Sequence, residues 1–447
     1  MTEGTVFGSA DSGEIEEFIA AFNNYEVQAG LFDLHDSMGC PWWDLVRYRV
    51  QFALCVERGI YGYQSVPPLR RSDRARNLFR QGRRLLRDIG KISVLGNRNV
   101  GSILVSTRHS AHLTEVLCSE ESRGRVALVV NHSGEVPAPH LAIAKRSVDF
   151  YVRVAAYGER LPSEVASEAC QLAERLRDRF ESETDLFDLI ARKYREHLAA
   201  RRAWSFVLDR ARALDRVIYI NDDTLKTLVF LARRRRIATE ELQHGYMGRS
   251  HVAFSYPRLA NLPETLPDKV IISRDTGDIV YPVEQVVMAK TVTVSANGGR
   301  RDIDVLIGAS PTLWKETVGI VSALVKQGLS LAVKLHPAQT ADRSGLRQQF
   351  SVDEIAIHEG HEDFCTLARR ARIYVPANPT STTTFEAVEN GARLIVVDFG
   401  GVRKTTINDG MTSARVSSLQ DLPDAVFSQL THGASATGLH KEGCDEF

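Results

Sequence analysis

Asp304-Val-Leu-Ile-Gly308, Ser330-Leu-Ala-Val-Lys-Leu335, Glu354-Ile-Ala-Ile-His358, Arg372-Ile-Tyr-Val-Pro376 and Arg393-Leu-Ile-Val-Val-Asp398 follow one another in the C-terminal third of the chain. Each is a short apolar run bounded by polar residues, the pattern of a strand buried on both faces. Lys269-Val-Ile-Ile-Ser273 reads as a further member of the series. Longer amphipathic stretches at 312–326, 361–370, 383–390 and 418–429 alternate with these runs as helices. A strand-helix alternation of this length makes a doubly wound, parallel α/β domain.

A second series lies upstream. Ser102-Ile-Leu-Val-Ser106, Arg125-Val-Ala-Leu-Val-Val-Asn131 and Arg216-Val-Ile-Tyr-Ile-Asn221 are strand-like, with helices over 163–183 and 224–236. The first of these helices opens on Ser163-Glu164, a hydroxyl cap followed by acid; the second closes on Arg233 to Arg236, cations at the negative end of the dipole. Between the series, Tyr256-Pro-Arg-Leu-Ala-Asn-Leu-Pro263 and the Pro267 beyond it read as an extended linker. The expected division is therefore 1–263, 264–431 and a loose polar tail, 432–447.

Composition fits such a protein. The 447 residues are 43% hydrophobic and 25% charged, and 56 Lys+Arg balance 56 Asp+Glu. A formal net charge of zero excludes a nucleic-acid binder that works through bulk charge. The start lacks the basic and apolar regions of a signal peptide, and no apolar run is long enough to span a bilayer, so a cytoplasmic protein is expected. The six cysteines contain no CxxC pair, so reduced, mostly buried thiols are expected.

Two motifs carry chemistry. Lys334-Leu-His336-Pro337 ends a strand, where an imidazole can donate to a phosphate oxygen and the proline fixes the loop direction. Ser381-Thr382-Thr383-Thr384-Phe-Glu386 follows the strand at 372–376 and opens a helix. Hydroxyls and unpaired backbone amides at a helix start form an anion site, whereas plain capping needs one hydroxyl. Glu386, on the first turn, can accept from sugar hydroxyls or merely complement the dipole.

This His-Pro strand end and Ser/Thr-rich helix start resemble the nucleotide-binding half of bacterial surface-polysaccharide glycosyltransferases, namely polysialyltransferases, capsular β-Kdo transferases and CDP-glycerol glycerophosphotransferases. The resemblance implies the GT-B architecture, two Rossmann-like domains facing across a cleft. It places His336 and Ser381 to Thr383 at the donor phosphate and Glu386 near the ribose, with Lys334 and Pro337 as further candidates for binding the donor nucleotide. Gln243-His244-Gly245, with His251 and Tyr256-Pro257, resembles a segment of capsule and lipopolysaccharide biosynthesis proteins. So does Asp33-Leu-His35-Asp36 with Pro41-Trp42-Trp43-Asp44-Leu-Val-Arg47. Trp43, Arg47 and Gln243 are thereby candidates for the acceptor, the tryptophans as a stacking wall and Arg47 as an anion ligand. The competing reading makes both tryptophans core anchors.

Transfer needs a base for the acceptor hydroxyl. Polysialyltransferase-like enzymes carry an acidic pair followed by glycine at a first-domain strand end, and Asn221-Asp222-Asp223-Thr224 matches all but the glycine. Asp222 is the first candidate, ahead of His244 and Asp36; an N-cap role competes. Asp302-Ile-Asp304 has the form of a metal-holding DxD, but it stands at the start of a strand, away from the ligand edge. No metal or other cofactor is therefore expected beyond the nucleotide-sugar substrate.

The Arg-rich stretch 69–91 carries Leu78, Phe79, Leu85, Leu86 and Ile89 as an apolar stripe among arginines. It can pack on the domain or lie on anionic lipid. The expected protein is a glycosyltransferase moving a sugar, with a CMP-linked acidic sugar preferred, to a glycan or lipid-linked acceptor at the inner membrane face. A non-hydrolysing UDP-GlcNAc epimerase and a non-catalytic nucleotide-sugar-binding partner of a synthase are the alternatives.

Overall fold

The computed structural model describes residues 12–59, 71–105, 111–131, 136, 138–220, 225–242, 253–272, 283, 285–288, 301–310, 313–336, 346, 350, 354–359, 362–379, 381–398 and 412–435. Helices α1 (Ser12–Gln28), α2 (Trp42–Glu57) and α3 (Arg71–Ser93) precede the first strand. Then come β1 (Val100–Val105), α4 (Ala111–Ser122), β2 (Val126–Asn131), β3 (Leu141–Ala144) and the helices α5 (Lys145–Ala156), α6 (Ser163–Phe180) and α7 (Leu186–Leu208). β4 (Arg216–Ile220), α8 (Lys226–Arg234), β5 (Ala238–Leu242), β6 (Lys269–Ile272) and β7 (Gln285–Met288) complete the first sheet.

The second sheet is built from β8 (Ile303–Gly308), α9 (Trp314–Leu324), β9 (Leu331–Lys334), β10 (Ala356–His358), α10 (Phe364–Arg370), β11 (Ala371–Pro376), α11 (Thr382–Glu389), β12 (Arg393–Val397), β13 (Thr412–Val416) and α12 (Leu422–Ser435). Strand order is β3-β2-β1-β4-β5-β6-β7 in the first sheet and β10-β9-β8-β11-β12-β13 in the second. All pairings are parallel. Each sheet thus runs 3-2-1-4-5-6 in its own numbering, the Rossmann order, with a seventh strand added to the first. The expected α/β class with two Rossmann-like sheets is what the structure shows.

Alternating residues of the second sheet feed two cores. Val305, Ile307, Val333, Ile373 and Val375 face one side with Ile320 and Leu324 of α9; Leu306, Ala332, Tyr374, Leu394 and Val396 face the other with Phe364 and Leu367 of α10. That two-sided burial is why the strands read as unbroken apolar runs.

The division of the chain lies later than Pro263. β6, expected in the second series, is hydrogen-bonded to β5 through Glu241↔Val270 and carries β7 on its other side. The break between the two compact units falls between Val292 and Thr293. The proline-rich stretch is no linker: Phe254, Tyr256 and Leu266 pack with Val270 and Ile272 in one core of the first unit. Two smaller expectations also change. Pro162, not Ser163, is the cap residue of α6, and Cys118 and Cys170 are exposed while Cys40 and Cys55 are buried.

Candidate functional site

In the order 3-2-1-4-5-6 the connections leave strands 1 and 4 in opposite directions, which opens a crevice at their carboxyl ends. In the second unit that switch point lies between β8 and β11. The strand ends there are tied past the ladder: the Ala309 amide donates to the Lys334 carbonyl (3.0 Å) and the Ala377 amide to the Gly308 carbonyl (2.9 Å). Both sequence motifs meet this edge. His336 lies two residues beyond β9, half-buried, and Ser381 caps α11 just after β11.

The hydroxyls at the start of α11 have unequal tasks. Tyr374, buried in β11, shares a hydrogen bond with Thr383 Oγ1 (2.7 Å), and Thr383 Oγ1 with Ser381 Oγ (2.9 Å). Burial, opposed in part by the Thr383 bond, raises the Tyr374 pKa, so the phenol keeps its proton. Thr384 is fully buried and its hydroxyl has no partner among the described residues. Ser381 is therefore the half-buried end of the row, and its side chain makes no capping bond to the helix. A helix start offers amides without intrahelical partners to an anion, though here the Thr384 amide already donates to the Ser381 carbonyl (3.0 Å). Of Thr382 only the backbone is described, and Pro337 lies outside the described residues. Glu386 is the fifth residue of α11, just past the first turn on which it was expected, and half-buried.

Lys334 corrects the expectation of a ligand for the donor nucleotide. Its ammonium is buried and donates to the carbonyls of Leu335 (3.2 Å) and Glu359 (2.7 Å), which braces the ends of β9 and β10. Asp302 and Asp304 stand at the opposite, amino-terminal edge, paired with Arg370 (2.7 Å) and Arg372 (3.3 Å).

In the first unit Asp222, Gln243 and His244 lie outside the described residues; β4 ends at Ile220 and β5 at Leu242, so all three follow carboxyl ends in the chain. Asp36, Trp43 and Arg47 are described, and their placement overturns the roles expected for them. Trp43 and Arg47 are 0% exposed. Arg47 holds Glu26 with two bonds of 2.8 Å and also donates to Asn23 Oδ1 and the Ser255 carbonyl. Its guanidinium lies 4.2 Å from the Tyr256 ring centre. Trp43 Nε1 donates to the same Glu26 (2.8 Å), and Trp42 Nε1 reaches Glu168 (3.1 Å). The start of α2 is a buried polar core, with no surface for an acceptor. Asp36 accepts from the amides of Met38 and Cys40, from the Tyr194 hydroxyl and from Arg201. Burial pushes its pKa up, but these donors outweigh it and hold the carboxyl below its ordinary value. A carboxylate with every oxygen so engaged orients a turn and is a poor base.

Sequence reasoning missed Tyr374 and Gly308. A Cβ on Gly308 would meet the Tyr374 hydroxyl at 2.0 Å, so the glycine makes room for the phenol that holds Thr383. A tyrosine inside an apolar strand run, beside a strand that ends in glycine, was the available signal.

No family model matches the chain, and no curated protein matches it in sequence. Solved structures resemble it at low identity. An O. sativa protein in complex with UDP and deoxynivalenol-3-glucoside is 10% identical over 74% of this chain and 90% of its own, with a TM-score of 0.43. The glycotransferase of kitacinnamycin is 12% identical over 76% and 92%, with a TM-score of 0.39. S. aureus MnaA, solved with UDP, is 13% identical over 77% and 88%, with a TM-score of 0.40.

Proposed function

We propose that this protein is a glycosyltransferase that takes a sugar from a nucleotide-sugar donor, with the donor phosphate bound by its second unit. The observation that supports this reading is that His336, Ser381 and the amino end of α11 all follow strand ends at the carboxyl edge beside the β8/β11 switch point. Imidazole, hydroxyl and helix amides are donors that can neutralise a leaving phosphate without a bulk positive charge. Asp222 and His244 are the proposed bases, since Asp36 is engaged elsewhere. The finer reading is transfer of a CMP-linked acidic sugar to a glycan or lipid-linked acceptor of a bacterial capsule or lipopolysaccharide.

α3 supports work at a membrane surface. Asp88 is buried and bonds the Ala144 amide (3.1 Å) and Ser147 (2.5 Å), so α3 turns the face of Asp88 and Ile92 inward. Phe79, Leu86, Ile89 and Val94 are left 68%, 71%, 38% and 44% exposed, beside Arg80, Arg83 and Arg87. No helix among the described residues is long and apolar enough to cross a membrane.

The test is a thermal-shift and calorimetric screen against CMP, CDP, UDP and GDP. One nucleotide is expected to bind, and a ligand at a hundredfold its Kd stabilises the fold by about 2.7 kcal/mol. His336→Ala and Ser381→Ala are each expected to weaken that binding about tenfold, the scale of a charge-assisted hydrogen bond. Absence of binding by all four, or unchanged binding in both variants, would refute the reading.

A further inference from the structure

The first unit has its own switch point, between β1 and β4, and a cavity of about 280 Å3 opens beside it. Its floor includes Val105, the last residue of β1, and Leu225, which precedes α8. Two helices wall it. α5 contributes Lys145, Val148, Asp149, Val152 and Arg153; α7 contributes Lys193, Glu196, Ala200 and Trp204. Both sets recur at three- and four-residue steps, so each is one face of its helix. Arg49 of α2 completes the lining.

The lining divides by chemistry. Val105, Val148, Val152, Ala200, Trp204 and Leu225 are apolar or aromatic, while four cations face two carboxylates. Each carboxylate is matched by a lysine of its own helix: Lys145 stands 3.3 Å from Asp149 and Lys193 2.5 Å from Glu196. Four cations against two carboxylates leave the lining with a surplus of positive charge, and Arg153 also donates from Nε to the Asp149 carbonyl (3.3 Å). Half-enclosed, cationic and floored with apolar side chains, the cavity suits a ligand with an acidic group on a compact body. Its volume is at the small end for ligand pockets, which favours one sugar unit over a chain.

We infer that this cavity binds the acidic group, carboxylate or phosphate, of the sugar unit that accepts transfer. The ribbon of charge selects the anion; Trp204 and the valines face the sugar ring. The inference rests on the glycosyltransferase reading only for the word acceptor, and binding of an acidic sugar can be measured without any nucleotide.

The experiment titrates the full chain with glucuronic acid, glucose 1-phosphate and glucose, followed by NMR of the labelled protein. At least one acidic sugar is expected to bind at least tenfold more tightly than glucose, and the tighter of the two identifies carboxylate or phosphate. Arg49→Gln and Arg153→Gln are each expected to cost about tenfold in that affinity while leaving the nucleotide affinity of the second unit unchanged. Inorganic phosphate alone is expected to bind more weakly than glucose 1-phosphate, since it lacks the ring. Equal affinity for glucose and both acidic sugars, no binding of either acid, or undiminished binding in both variants would overturn the inference. Failure of every nucleotide to bind, with acidic-sugar binding intact, would instead remove the donor reading and leave the cavity as an acidic-sugar site.

Discussion

His197 lies buried on α7, its Nδ1 2.6 Å from the Thr227 hydroxyl. Burial, reinforced by the Arg201 charge and opposed by Asp36, pushes its pKa down from 6.5 to about 3. The unfolded chain therefore takes up a proton that the folded chain refuses. Stability from this group is complete above pH 6.5 and is lost as the pH falls toward 3, at up to about 1.4 kcal/mol per pH unit. Between pH 7 and pH 5 His197 is expected to contribute a loss of about 2 kcal/mol in urea denaturation that His197→Gln removes, leaving the separate contribution of His140, whose pKa burial also lowers. An unchanged slope in the variant would contradict the assignment. Asp36, with its lowered pKa, contributes at lower pH, so it does not obscure this window. Residue types alone misled at Trp43 and Arg47. An arginine in a helix reads as a surface cation, and nothing in its neighbours announces that Glu26, on another helix, and Ser255, far along the chain, close around it. The positions of His336 after a strand and of Ser381 before a helix were legible because strand ends and helix starts are local features.

At the scale of elements, the strands of the second sheet could be read because burial on both sides leaves no polar phase in the run. α3 could not be read the same way. Its apolar stripe was open to packing on the domain or lying on lipid, and a single buried carboxylate, Asp88, which accepts from the Ala144 amide at the edge strand β3, fixes which face turns inward. Phe79 and Leu86 then point out among arginines, and burying each of two such side chains is worth about 1.5–3 kcal/mol. Cosedimentation with phosphatidylglycerol vesicles is expected, with little binding to phosphatidylcholine. Phe79→Ser with Leu86→Ser should reduce the bound fraction severalfold, as should Arg83→Glu with Arg87→Glu. Equal binding to both lipids, or indifference to both pairs of changes, would rule out this surface.

At the scale of the whole molecule, prolines suggested a division near Pro263, but prolines mark where backbone amides are not needed and say nothing about which sheet follows. β6 and β7 belong with β5. A fragment covering 16–292 is therefore expected to unfold cooperatively, whereas 16–263 strips β5 of its neighbour and Phe254 and Tyr256 of their packing, and should aggregate or melt without a sharp transition. Cooperative unfolding of the shorter fragment would restore the earlier boundary. The crossover from β3 to β4 carries α5, α6 and α7 before the central pair of the first sheet can close, Ser102 against Arg216. In the second sheet the equivalent closure joins Ile303 to Ala371. Loop-closure entropy grows only with the logarithm of length, about 0.6 kcal/mol for each doubling, and the longer loop is less than twice the shorter. The extra helices thus cost the sheet very little to close around, so a crossover is a place where chain can be added, here enough to wall a cavity, without loosening the strands it connects.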